Sequence, residues 1–129
     1  MREEELRKLA GRGRALKEIM LDRGLASLGD ALVNFAFSLA LSLEKGRPTG
    51  RRLDNRLLAE ALRASGLRRE APRRMDRHAL ADAMEAILAY GWLTGLVSFW
   101  DIVKALRSQD LIEGLSGLVK KIVKRAGEA

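Results

Sequence analysis

The chain has 129 residues, a formal net charge of +7 at pH 7 and no cysteine. Disulfide bonds, thiolate metal sites and cysteine nucleophiles are therefore excluded, and a single histidine, His78, argues against a histidine-rich zinc site. The length predicts one domain, residues 1–129, with one hydrophobic core. The longest apolar run, residues 31–43, is shorter than the roughly 20 residues of a membrane span, and no signal or transit peptide is visible, so we expect a cytoplasmic protein.

Helical periodicity runs through the chain and predicts an all-α fold, a helical bundle. Only two prolines occur, and no stretch alternates β-branched residues as a strand would. The apolar spacing predicts helices over residues 2–21, 25–43, 54–65, 76–90 and 99–107, and a last helix from about residue 110. The first helix should loosen at Gly11 and Gly13, with Leu9 among its inward residues. Trp100 is expected in the core or at a dimer interface.

The predicted helix over residues 25–43 carries a row of polar residues on an otherwise apolar surface. Asp30, Asn34, Ser38 and Ser42 follow one another at steps of four, which places them on one face. The other faces carry Ala, Leu, Val and Phe, and we expect them to be buried. The polar row should therefore open onto a cleft or an interface, where the carboxylate of Asp30 needs a partner.

Residues 45–77, called the basic segment below, concentrate the positive charge. They contain eleven Lys or Arg and four acidic residues, a net charge of +7, whereas the rest of the chain is neutral overall. Guanidinium groups match phosphate oxygens in bidentate hydrogen bonds, so this excess indicates a surface that binds a polyanion. The alternative is a solvated basic surface, or one that pairs with acids elsewhere in the fold.

A second acidic pair lies in the predicted helix over residues 76–90. Asp82 and Glu85 are three residues apart and therefore share one face of that helix. Hard divalent cations prefer oxygen ligands, so this pair and Asp30 together indicate a metal site made of carboxylates. The structural alternative is that the three carboxylates only pair with arginines of the basic segment.

Three segments in order resemble the ribonuclease III catalytic domain, over roughly residues 22–95. Residues 25–32, Leu-Ala-Ser-Leu-Gly-Asp-Ala-Leu, are similar to the signature segment of that family. Residues 55–67 resemble its Asn-x-x-Leu-Ala segment, and residues 80–93 resemble the segment with its second Asp and Glu. The compact enzymes called mini-ribonuclease III look similar. The excess of arginine over lysine is compatible with a thermophilic source.

The resemblance implies a metal-dependent endoribonuclease that hydrolyses phosphodiester bonds of double-stranded or structured RNA as an all-helical homodimer. It implies Mg²⁺ or Mn²⁺ at Asp30, Asp82 and Glu85, with Asp30 and Glu85 as direct ligands and Asp82 as a ligand or an outer carboxylate. Such a cation would activate water for in-line attack and stabilise charge on the leaving oxygen. Asn34, one turn after Asp30, is expected to orient a water molecule.

The basic segment is then expected to bind RNA by shape, through phosphates and 2′-hydroxyls across the minor groove. The chain has no room for the double-stranded-RNA-binding domain of larger relatives, so we expect the catalytic dimer itself to make these contacts. The residues expected to make them are Lys45, Arg47, Arg51, Arg52, Arg56, Arg73, Arg74 and Arg77.

One position departs from the family pattern. The glutamate usual four residues before the signature aspartate is Ala26 here, so one carboxylate is missing unless Asp22, Glu60 or a water takes its place. This departure motivates an alternative function, a non-catalytic RNA-binding or scaffold dimer with the same fold. A third hypothesis, a helical dimer that binds DNA or a protein partner, rests on charge alone.

Overall fold

The computed structural model describes residues 3–11 and 13–128, and all regular structure in this part of the chain is helical. The prediction of an all-α fold is confirmed. The α-helices are α1 (Glu3–Ala10), α2 (Leu16–Met20), α3 (Arg23–Lys45), α4 (Asn55–Ser65), α5 (Arg77–Leu93), α6 (Phe99–Leu106) and α7 (Leu111–Glu128), and a 3-10 turn (Leu67–Glu70) follows α4.

The N-terminal region forms two helices, so the prediction of one helix over residues 2–21 is wrong. Between α1 and α2, Gly11 and Gly13 have φ angles of +81° and +59°, a left-handed conformation that interrupts a right-handed helix and that glycine adopts without strain. Leu9, expected to point inward, is 66% exposed. Residues 2 and 12 of that prediction lie outside the described residues.

Local capping residues set the ends of α4 and α5. The carboxylates of Asp54 and Asp76 accept hydrogen bonds from the backbone N–H groups of Arg56 and Ala79, which makes them the N-caps of α4 and α5. Gly66 ends α4 in the left-handed conformation, with φ of +81°. The predicted boundaries of both helices therefore hold to within a few residues.

Helix α5 is the centre of the fold. It packs against α1, α2, α3, α4 and α7, and most of its side chains are buried. At its crossing with α3, a Cβ on Gly29 would overlap with the backbone carbonyl of Glu85. Glycine at this point lets the two helices approach each other closely. As a result, Asp30 of α3 lies beside Glu85 of α5.

Part of the apolar surface of α3 is exposed, which corrects the expectation that all faces outside the polar row are buried. Leu28, Phe35 and Leu43 are 38%, 63% and 48% exposed. Helix α3 packs against α5 and α6, whereas these three apolar side chains remain largely in contact with solvent. Trp100 at the start of α6 is 64% exposed, so its predicted place in the core is wrong.

Helix α3 is long and apolar enough to cross a membrane by length and composition alone. Its mean hydropathy reaches 1.5 over 18 residues, and 28% of that window is buried within the fold. The core helix of a globular protein passes the same test, so this property by itself is weak support for a membrane span. The helix also carries the polar row and packs on α5.

Candidate functional site

A cleft of about 660 Å³ lies between the first half of α3 and the first half of α5, and the three carboxylates singled out from the sequence, Asp30, Asp82 and Glu85, all line it. The side chains that line it come from the end of α2, from α3, from residues 52–55 and from residues 75–85. They are Met20, Leu21, Asp22, Arg23, Ala26, Ser27, Asp30, Arg52, Asn55, Met75, Ala79, Asp82 and Glu85.

Asp30 is held by two neighbours. Asn34 donates hydrogen bonds from Nδ2 to Oδ1 of Asp30 at 3.0 Å and to its backbone oxygen at 2.8 Å. Arg52 donates from Nη2 to Oδ1 and Oδ2 of Asp30 at 3.2 and 3.4 Å. The structural alternative, pairing with an arginine of the basic segment, therefore holds for Asp30. Neither Asp82 nor Glu85 has such a partner among the described residues.

Glu85 is the most unusual acidic residue of the described chain. It is only 3% exposed, and its buried Oε2 has no hydrogen-bond partner among the described residues. Burial raises the pKa of Glu85 from 4.5 to about 8, with the neighbouring carboxylate of Asp30 and the charge of Asp82 acting in the same direction and Arg52 opposing them. A carboxylate in this position gains stability from a proton or from a bound cation.

Asp82 lies one turn before Glu85 on α5, and its exposed side chain lines the open side of the cleft. Within residues 3–11 and 13–128, no three His, Cys, Asp or Glu side chains are placed closely enough to hold a metal ion among them. The cleft thus contains Asp30 next to Glu85, with Asp82 farther toward solvent. It is not a closed cage of three carboxylates.

The polar row of α3 holds an extended stretch of chain, residues 49–53, along the helix. Asn34 Oδ1 accepts from the backbone N–H of Leu53 at 2.7 Å. The Oγ atoms of Ser38 and Ser42 bind the backbone N–H and C=O of Arg51 and Thr49, at 2.9 to 3.1 Å. This attachment brings Arg52 to the cleft. Asn34 is a positioning residue for Asp30 and this stretch, and its orientation of a water stays a prediction.

The two carboxylates considered as replacements for the glutamate missing at Ala26 are already engaged. Asp22 caps α3 by accepting from the backbone N–H of Leu25 and pairs with Arg14 at 2.7 Å, and these hydrogen bonds lower its pKa. Glu60 pairs with Arg63 on α4 and does not line the cleft. Ala26 itself lines the cleft. The residue at this position therefore lies where the family's glutamate would be expected, but it has no carboxylate.

All eight residues expected to bind RNA are exposed. Arg52 lines the cleft, and Arg73 and Arg74 line a groove that shares Met75 and Ala79 with it. The other five lie farther along the surface: Lys45 ends α3, Arg47 and Arg51 lie in the following loop, and Arg56 and Arg77 lie in the first turns of α4 and α5. Arg68 stabilises the loop before α5 by donating to the backbone oxygens of residues 72 and 73.

Two residues of the site were missed in the sequence. Gly29 sets the approach of α3 to α5. The available signals were its place in the signature segment and the cost of a glycine inside a helix, roughly 0.5–1 kcal/mol relative to alanine, which calls for a packing reason. Asn55 begins α4 and lines the cleft. Its side chain forms no hydrogen bond within the described chain. Its place in the Asn-x-x-Leu-Ala segment was the available signal.

The donors of the cleft fit an open magnesium or manganese site. Mg²⁺ in proteins is commonly held by one or two carboxylates, with waters and substrate phosphates completing its shell. Asp30 and Glu85 are two such carboxylates, and the unpartnered Oε2 of Glu85 is a free ligand atom in a buried position. Asp82 and Asn55 supply further oxygen atoms toward the open side. Soft-metal chemistry does not fit, since the chain has no cysteine.

Comparison with known proteins identifies the family of the chain. The family model described as Ribonuclease III matches residues 23–126, from the start of α3 into α7. The match extends beyond the predicted resemblance, which ended near residue 95. A search of curated proteins finds no significant match. At the family level the match supports a nuclease-like function in RNA processing. Because the model covers most of the chain, including the whole cleft-forming part of α3 and α5, the protein belongs to the ribonuclease III family.

Proposed function

We propose that the protein is a metal-dependent endoribonuclease that hydrolyses phosphodiester bonds of double-stranded or structured RNA as a homodimer. The observation that carries this proposal is the cleft that Asp30, Asp82 and Glu85 all line, with a buried carboxylate oxygen of Glu85 left without a partner among the described residues. Family membership supplies the RNA substrate class. The geometry adds which residues of this chain would act.

Asp30 and Glu85 would hold Mg²⁺ or Mn²⁺, with Asp82 as a ligand or as an outer carboxylate. When bound, the cation supplies activation of water and stabilisation of negative charge on the phosphodiester. The chain's own residues prepare this site. Asn34 fixes the carboxylate of Asp30, and Gly29 sets its separation from Glu85. Burial of Glu85 removes competing water from the oxygen that would bind.

The basic segment would hold the RNA beside the cleft. Arg73 and Arg74 line the groove that adjoins the cleft, so a strand whose scissile phosphate lies near Asp30 would pass these guanidinium groups. Guanidinium groups bind phosphate oxygens in pairs, and they do so regardless of base sequence. Recognition by RNA shape is therefore expected, with an affinity that falls as salt concentration rises.

The homodimer is supported by the exposed apolar surface on α3 and α6, called the aromatic patch below. It consists of Phe35 and Trp100, which are both exposed, and of the ring of Phe99 between them. Phe35 stacks on Phe99 with ring centroids 5.5 Å apart, and Phe99 meets the edge of Trp100 at 5.8 Å. Large exposed aromatic side chains that cluster on one face mark interaction sites. A twofold dimer would bury the patch against its own copy.

The alternative function is RNA binding without cleavage in the same fold. Two observations favour it: Ala26 lines the cleft where the family pattern has a glutamate, and Arg52 neutralises Asp30. In this alternative Asp30 and Arg52 would form a structural ion pair in the cleft, beside a basic surface. RNA binding would then be independent of divalent cations.

One comparison separates the two functions. Purified protein is incubated with structured RNA and Mg²⁺ or Mn²⁺, beside the variants Asp30→Asn and Glu85→Gln. We expect the wild type to cut the RNA and both variants to cut it at least about a hundredfold more slowly. Each substitution removes a charged ligand that stabilises the transition state. Glu113→Gln, an exposed carboxylate on α7, is the control and should cut normally.

Equal cleavage by the wild type and both variants would mean that the activity arises elsewhere or from a contaminant, and the proposed site would be wrong. RNA binding by the wild type without any cleavage in either cation would support the alternative function.

A further inference from the structure

The guanidinium group of Arg52 lies against both carboxylate oxygens of Asp30. A single nitrogen, Nη2, lies 3.2 Å from Oδ1 and 3.4 Å from Oδ2 of Asp30. This central placement resembles that of a cation bound by both oxygens of a carboxylate. Arg52 and a divalent cation therefore compete for the same face of Asp30.

The ion pair is built to open easily. The side chain of Arg52 is 76% exposed and that of Asp30 is 38% exposed. Ion pairs this close to water contribute little stability, because solvent screens both charges. The guanidinium of Arg52 makes no other hydrogen bond to the residues that the structure describes. Release of Asp30 thus breaks no further contact.

Both partners keep their places when the pair opens. Asp30 retains its hydrogen bond from Asn34. The backbone N–H groups on either side of Arg52, those of residues 51 and 53, stay bound to Ser38 and Asn34 of α3. Only the side chain of Arg52 is free to turn, and its guanidinium remains at the cleft. There it would face a phosphate bound near Asp30.

We propose that Arg52 is a substrate-contacting residue that neutralises Asp30 in the free protein and moves to an RNA phosphate when a divalent cation takes its place. This inference rests on the proposed function, since it requires that Asp30 bind a cation. The exchange couples the two ligands. A phosphate that attracts Arg52 frees Asp30 for the cation, and by linkage the cation favours binding of the phosphate.

The first test measures Mn²⁺ binding to the protein without RNA, by isothermal titration calorimetry. Arg52→Ala should bind Mn²⁺ about two- to fivefold more tightly than the wild type, because an exposed ion pair of this kind no longer has to open. Arg107→Ala is the matched control, since it removes an exposed arginine that lies outside the cleft and the basic segment and forms no ion pair within the described chain. Its Mn²⁺ affinity should change less. Asp30→Asn should lose most of the binding.

The second test measures affinity for a double-stranded RNA with phosphorothioate linkages, which slow cleavage, by fluorescence anisotropy in the presence of Mn²⁺. Arg52→Ala should bind this RNA severalfold more weakly than the control Arg107→Ala does. Arg52→Lys should recover part of the affinity, because it restores the charge without the planar fork.

The outcomes separate the inference from the function beneath it. If Asp30→Asn loses Mn²⁺ binding but Arg52→Ala does not gain it, the exchange is wrong and the metal site stands. If Arg52→Ala gains Mn²⁺ affinity but binds RNA as the control does, transfer to the phosphate is wrong. If the wild type, Arg52→Ala and Asp30→Asn all fail to bind Mn²⁺, both proposals fail.

Discussion

Glu85 and Asp30 line the same cleft in very different surroundings. Asp30 is partly exposed and has two hydrogen-bonding neighbours, Asn34 and Arg52. Glu85 is buried with one oxygen unpartnered. An ionised carboxylate is costly in such a place unless a cation or hydrogen-bond donor compensates its charge. The raised pKa of Glu85 therefore indicates that its ionised form is stable only when a cation or a hydrogen-bond donor compensates the charge.

We predict that the free energy of unfolding decreases as the pH rises from about 5 to about 8. The folded protein keeps the proton of Glu85 up to its pKa of about 8, whereas the unfolded chain releases it near 4.5. The native state then binds more protons in this window, so rising pH favours unfolding, by up to a few kcal/mol. The lowered pKa values of Asp22 and Asp101 act in the opposite direction, but at pH values near and below 4.

Urea unfolding at pH 5, 6.5 and 8 without divalent cations measures this effect. Glu85→Gln cannot titrate, so its stability should fall less over the same range than that of the wild type. Glu113→Gln should follow the wild type, since this exposed residue lies outside the cleft. An identical fall in Glu85→Gln and the wild type would assign the pH dependence to another group.

At the scale of elements, the crossing of α3 and α5 positions the site. Neither helix holds all three carboxylates, since Asp30 lies on α3 and the other two lie on α5. The distance between the helices at this point is set by Gly29, whose missing side chain leaves room for the backbone of Glu85. The polar row then attaches residues 49–53 to the same helix. One crossing and one attached stretch thus assemble the cleft.

We predict that Gly29→Ala destabilises the fold and reduces cleavage. Its new methyl group would overlap with the backbone of Glu85, so α3 and α5 would have to separate. Overpacking of this kind typically costs about 1–3 kcal/mol, more than the roughly 1 kcal/mol that alanine gains in a helix. Thermal and urea unfolding measure the loss, and RNA cleavage reports the changed separation of Asp30 and Glu85.

Gly117→Ala is the matched control for that substitution. Gly117 also lies inside a helix, α7, but a Cβ there meets nothing within 4 Å. The variant should be more stable by about 0.5–1 kcal/mol because alanine is the better helix former. If both glycine variants change stability in the same direction, the close approach at Gly29 does not decide the packing of α3 on α5.

At the scale of the whole molecule, the exposed surface carries a set of basic residues and the aromatic patch. The eight basic residues expected to bind RNA are exposed around residues 45–77, and some of them lie beside the cleft. The aromatic patch lies on α3 and α6. A molecule with these two surfaces can bind a polyanion with one and a second copy with the other. The proposed dimer follows from the second surface.

We predict that Phe35→Asp converts a dimer into a monomer. Phe35 is 63% exposed and stacks within the aromatic patch, so a buried charge there would oppose association without disturbing the core of the monomer. Size-exclusion chromatography with light scattering measures the mass. Leu9→Asp, which changes an apolar residue of similar exposure on α1, should leave the dimer intact. A monomeric wild type would contradict the proposal.

The sequence by itself determined the fold class, most helix boundaries and three of the four acidic residues that line the cleft. These features depend on local chemistry: apolar spacing, capping by Asp54, Asp76 and Gly66, and helical spacing between Asp82 and Glu85. The break after α1 was expected only as a loosening, because the effect of two left-handed glycines depends on how the flanking helices pack.

Only the tertiary structure decided which side chains meet. It paired Arg52 with Asp30, buried Glu85, left Trp100 and Phe35 exposed, and gave Gly29 its role at the helix crossing. Each of these facts depends on residues distant in sequence, whose approach is set by packing between helices. Helical periodicity identifies which faces are apolar. It does not tell which apolar face packs inside the chain and which remains for a partner, because both satisfy the same pattern.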